Sequence, residues 1–83
     1  VEVENAQTNY QFAINQYYNT INNLELAKKI EKKNEIKFYE GLASSFDLRQ
    51  AQNQLYTIQN ELLQSMSEVI NRKTNLEIIL NEN

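Results

Sequence analysis

The sequence predicts an all-α fold, an antiparallel two-helix coiled-coil hairpin, and three observations lead to it. Apolar residues recur at steps of three and four along two long segments. The only glycine, Gly41, lies near the middle of the 83 residues, and no proline interrupts either segment. A connection this short between two long helices makes them antiparallel neighbours.

The first segment predicts helix 1 over residues 2–39. Lys37 suits the negative end of the helix dipole, and Gly41 suits the left-handed position that commonly follows a helix. Apolar residues recur at helical spacing in the first part of this segment, and the spacing becomes less regular in the lysine-rich stretch before the turn. The regularly spaced residues are Val3, Tyr10, Ile14, Tyr17, Ile21 and Leu24.

A tip turn over residues 40–45 and helix 2 over residues 46–81 follow. Ser44 and Asp47 have the spacing of a capping box, which predicts a helix start near Ser44–Ser45. The extra four-residue step to Met66 predicts a stutter that locally relaxes the supercoil. If the two arms pair about the turn, Ile21 lies near Ser65 and Met66. The apolar series of helix 2 is Leu48, Ala51, Leu55, Ile58, Leu62, Met66, Val69, Leu76 and Leu80.

Both arms carry more apolar residues than one stripe requires. Doubled positions occur at Tyr17-Tyr18, Leu55-Tyr56, Leu62-Leu63 and Val69-Ile70. Either each helix contacts neighbours on two sides, or a wide stripe packs into a four-helix bundle formed by two hairpins. Both explanations predict that the chain self-associates as a dimer or a larger species.

The composition argues against catalysis and cofactors. The chain has no cysteine and no histidine, and no pair of carboxylates stands in an apolar setting. We therefore expect no enzymatic activity, no catalytic residue, no metal site and no cofactor. No apolar run reaches the roughly 18 residues that a membrane span requires.

The charge pattern separates the tip from the rest of the chain. Residues 28–49 hold six basic and four acidic side chains, within a net charge of -3 for the whole chain. This excess is either a solvated face or a complement to a partner protein or to anionic headgroups. Acidic residues along the second arm argue against a nucleic-acid partner, so an RNA-binding arm is the least favoured reading.

The segment from Tyr39 to Leu55 resembles the periplasmic hairpin tip of TolC-like outer-membrane efflux proteins. The shared pattern is a glycine, a hydroxyl residue three positions on, an Asp-aliphatic pair, an Ala-Gln pair and an aliphatic residue. Two positions depart from the family pattern, namely Glu40, where many members have valine, and Gln50, where some have a second acidic residue. The pattern is carried by Gly41, Ser44, Asp47, Leu48, Ala51, Gln52 and Leu55.

The resemblance implies a fragment of a larger homotrimeric protein that spans the outer membrane and extends a helical tunnel into the periplasm. This chain would be one hairpin of the tunnel wall in an exit duct for tripartite efflux or type I secretion. The tip residues that dock the periplasmic adaptor (membrane fusion) protein would be Gly41, Leu42, Ser44 and Ser45, and Asp47 would line the pore. The high share of Asn and Gln, 21 of 83 residues, fits a wet tunnel lining or a biased codon usage. The alternative is a cytoplasmic scaffold that dimerises into four-helix bundles.

Overall fold

The protein is an antiparallel helical hairpin, as the sequence predicts. The computed structural model describes residues 1–82, which form α1 (Glu2–Tyr39) and α2 (Ser45–Glu82). The two helices pack along their length into a rod whose Cα atoms span 63 × 14 × 13 Å. No strand occurs in this part of the chain, so the all-α fold class is confirmed.

The seam between the helices is built from small side chains. Buried residues recur every seven positions in α1, which places them on one line along the helix and lets the α2 backbone approach. Leu24 is the only large side chain buried among the described residues. The small residues buried at the seam are Ala6, Ala13, Thr20 and Ala27 from α1 with Ala51 and Ser65 from α2.

Neighbouring residues in the grooves between the helices show the register. Ala6 and Ile79 line one groove, Ala27 and Ile58 a second, and Asn34 and Ala51 a third. In these pairs, the alignment of the two helices is shifted by about one residue from the alignment that the sequence predicts.

The expected stutter in α2 is wrong. Ser65 lies in the seam at 7% exposure, whereas Met66 is 41% exposed. With Ser65 in the seam, buried and half-buried residues follow unbroken steps of three and four. They are Leu48, Ala51, Leu55, Ile58, Leu62, Ser65, Val69, Arg72, Leu76 and Ile79.

The two buried hydroxyls are satisfied within their own helices. Thr20 Oγ1 donates to the Gln16 carbonyl at 2.8 Å, and Ser65 Oγ donates to the Leu62 carbonyl at 2.8 Å. Over residues 1–82, no buried side-chain nitrogen or oxygen lacks a partner. A small hydroxyl can therefore occupy the seam without the penalty of an unpaired polar group.

Candidate functional site: the hairpin tip

The first half of the tip is a glycine-centred helix stop. Gly41 has φ of +76°, in the left-handed region where residues with a Cβ are strained. Its N–H donates to the Phe38 carbonyl at 3.0 Å, and the Leu42 N–H donates to the Lys37 carbonyl at 2.8 Å. These two bonds form a Schellman motif, which closes α1 and turns the chain sharply.

The second half of the tip is a reciprocal cap on α2. The Asp47 N–H donates to Ser44 Oγ at 3.1 Å, and the Ser44 N–H donates to Asp47 Oδ2 at 3.2 Å. Ser44 is therefore the N-cap, and the carboxylate of Asp47 lies at the positive end of the helix dipole. Ser45 is the first residue of α2 and is exposed. Two motifs thus fix the backbone between Lys37 and Leu48.

Apolar side chains project from this fixed turn into solvent. Leu42 is 73% exposed at the apex, and Tyr39 and Phe46 are exposed to a similar degree on either side of it. The Phe38 and Tyr39 rings meet edge-on with centroids 5.8 Å apart. Exposed apolar side chains on an ordered turn are typical of a docking surface.

Sequence analysis names Leu42 as a tip residue and assigns no position to Phe46. In the structure, the Phe46 side chain points away from the seam and is exposed to solvent. A helix beginning at Ser45 places Phe46 in the first turn, two residues before the first seam residue, Leu48. An exact helix start would have given this orientation, because each residue turns the helix by about 100°.

The cations near the tip are free of ion pairs. In the described part of the chain, the two ion pairs are Lys28–Glu25 at 3.7 Å and Arg72–Glu68 at 2.7 Å, both remote from the apex. Of the basic side chains counted for residues 28–49, Lys28 alone is in a salt bridge. The unpaired cations are Lys29, Lys32, Lys33, Lys37 and Arg49.

Behind the tip, one side of the rod is lined by amide and acidic side chains, here called the amide face. Asp47 lies at its tip end, in a groove shared with Asn34 and Gln50. The face continues along the grooves toward the open end of the hairpin. The exposed apolar side chains of Phe12, Leu26 and Ile30 also lie in these grooves. The further polar members of the face are Asn5, Asn9, Gln16, Asn23, Gln54, Glu61, Glu68 and Asn75.

The opposite side of the rod is apolar, and we call it the apolar face. Tyr17, Met66 and Ile70 line a groove there, and the Tyr17 and Tyr18 rings lie 5.8 Å apart. Residues three, four or seven positions from these share the same face of each helix. The apolar face comprises Ile14, Tyr18, Ile21, Leu63, Met66 and Ile70.

Within residues 1–82, no group of three or more Asp and Glu side chains is placed to hold a metal ion. Neither helix, over the same range, has a stretch long and apolar enough to cross a bilayer. No protein-family model, no curated protein and no solved structure matches the chain.

Proposed function

We propose that the chain is a periplasmic tunnel-wall hairpin of a TolC-like outer-membrane exit duct. Its tip docks the periplasmic adaptor protein of a tripartite efflux or type I secretion system. The observation that carries the proposal is the exposed Leu42 on a turn held by two capping motifs, at the end of a rod 63 Å long.

The construction of the tip supports docking by a preformed surface. The Schellman motif and the capping box fix the backbone on both sides of Leu42, so little conformational entropy is lost when a partner binds. The docking set is Gly41, Leu42, Ser44 and Ser45, in which Gly41 and Ser44 act by holding the turn. The unpaired lysines beside it favour a partner with acidic side chains.

The two faces of the rod support a place in a wall. A hairpin in a tunnel wall needs one side that tolerates water and another that packs against neighbouring hairpins. The amide face carries more amide than acidic side chains, with a few apolar ones among them, which suits a water-filled passage. Asp47, at the tip end of that face, would line the narrow mouth of the tunnel while also capping α2.

The test is the substitution Leu42→Asp in the full-length protein that contains this chain. A carboxylate entering an apolar contact loses its hydration, so crosslinking to the adaptor should fall at least about tenfold and transport should fall with it. Helicity should stay unchanged, because Leu42 lies between α1 and α2.

Leu26→Asp is the matched control, since Leu26 is also an exposed leucine and lies about 24 Å from Leu42 along α1. It should leave adaptor crosslinking intact. If Leu42→Asp crosslinks and transports as well as Leu26→Asp does, the tip does not dock the adaptor.

The apolar face favours one alternative, a dimerisation scaffold in which two hairpins form a four-helix bundle. The two functions differ in what surrounds the chain. An exit duct requires a signal peptide and flanking segments of about ten alternating residues that form membrane strands. A scaffold requires neither, so the flanking sequence of the full-length protein discriminates between them.

A further inference from the structure

The hairpin exposes more surface than a compact monomer of its size. Its accessible surface is 6365 Å² for 9.8 kDa, whereas the size scaling of compact monomers gives about 5,200 Å². The excess, about 1,200 Å², is larger than the roughly 800 Å² per partner that a stable protein interface buries.

We propose that the apolar face binds a second copy of this chain, forming a two-fold symmetric dimer. Exposed side chains on this face come from both helices. They are Tyr18 from α1 and Leu63, Met66 and Ile70 from α2. The amide face opposite is mixed, because its exposed apolar side chains, Phe12, Leu26 and Ile30, lie among amide and acidic ones that remain hydrated without a partner. Covering the apolar face therefore removes the least favourable part of the excess surface from water.

The distribution of apolar and charged residues on this face is self-complementary, so a second copy of the chain fits it. Its apolar residues lie in one block, residues 14–21 of α1 and 63–70 of α2. Toward the tip the block is bounded by Glu25 and Lys28, and toward the open end by Lys73 and Glu77. In a two-fold dimer, apolar side chains meet apolar side chains, and neither rim places a single sign of charge against the partner, since Glu25 pairs with Lys28 on one rim and the other holds Lys73 and Glu77.

The proposal is independent of tip docking. Tyr18, in the middle of the face, is about 35 Å from Gly41 along α1, so the two surfaces do not overlap. A dimer can form whether or not the tip binds an adaptor, and each surface has its own substitution.

Sedimentation equilibrium of the 83-residue chain tests the proposal, with Leu63→Glu compared with Leu26→Glu. Leu63 is 62% exposed on the apolar face and Leu26 is 58% exposed outside it, so the two variants change the same chemistry at similar exposure. The unmodified chain should dimerise at about tens of micromolar. Leu63→Glu should raise the dissociation constant by about tenfold or more, and Leu26→Glu by less than about threefold.

Circular dichroism of each variant controls for folding, and Ile70→Gln tests the same face without adding a charge. Ile70→Gln should also weaken the dimer, because it removes an exposed apolar side chain from the contact. The proposal is overturned if the unmodified chain stays monomeric to several hundred micromolar. Equal effects of Leu63→Glu and Leu26→Glu, or no effect of Ile70→Gln, would also overturn it.

Discussion

Ser44 and Asp47 cap each other across the first turn of α2, with each side chain accepting a hydrogen bond from the other residue's backbone N–H. These bonds satisfy two N–H groups that have no partner within the helix. They also fix where α2 begins, and through this the direction in which Leu42 and Phe46 project. A change in this pair should therefore affect both stability and the shape of the tip.

Ser44→Ala removes the hydroxyl that accepts from Asp47 N–H and should lower the free energy of unfolding by about 1 kcal/mol. Urea denaturation followed by circular dichroism measures the change. Ser45→Ala is the control, because Ser45 is exposed and its hydroxyl makes no hydrogen bond in the described structure. Equal stability of the two variants would show that the capping box contributes nothing.

Much of the fold follows from the sequence, because the helical period and a single central glycine allow few other arrangements. The seam is harder to predict. Sequence reasoning chose Met66 over Ser65 because Met66 is more apolar, but helices that approach closely favour small side chains at the contact. The hydroxyl of Ser65 is satisfied by its own helix, so burying it costs little. Hydrophobicity alone does not reveal either effect.

The structure of the tip can also be predicted in large part from the sequence. Capping box spacing and the position of Gly41 are local patterns, and both predict the backbone of the turn correctly. The outward position of Phe46 depends on how the helix start is rotated relative to Leu48 and the seam. The apolar period of α2 already places Leu48 in the seam, so the outward position of Phe46, about 200° around the helix, also follows from the sequence.

Leu24 and Leu26 form a natural pair for testing the seam, since Leu24 is buried and Leu26 is exposed two residues later. Leu24→Ala should lower the free energy of unfolding by about 2–4 kcal/mol, because it removes a buried side chain and leaves a cavity. Leu26→Ala should change it by less than about 0.5 kcal/mol. Thermal denaturation at matched concentration compares them. Similar losses from both would mean that the seam runs elsewhere on α1.

Ser65 provides a second test of the seam by adding volume to it. Ser65→Leu should be destabilising by about 1–3 kcal/mol despite its greater hydrophobicity, because Ser65 is buried in the seam and a larger side chain there must displace its neighbours. Ser65→Ala preserves the small volume and should be close to neutral, since the hydrogen bond that it removes is internal to α2. If Ser65→Leu is the more stable of the two, then the Met66 register is right after all.

Gly41 tests whether the turn requires a particular backbone conformation or simply a small side chain. A Cβ at Gly41 would meet no heavy atom within 4 Å, so the cost of a substitution arises from the positive φ. Gly41→Ala should lower the free energy of unfolding by about 1–2 kcal/mol, and Gly41→Asn by less, because asparagine tolerates the left-handed region. Gly41→Val should be the worst of the three, since a β-branched residue is a true outlier at this φ. Urea denaturation ranks the variants, and a different order, with valine as good as asparagine, would place the strain outside the backbone of the turn.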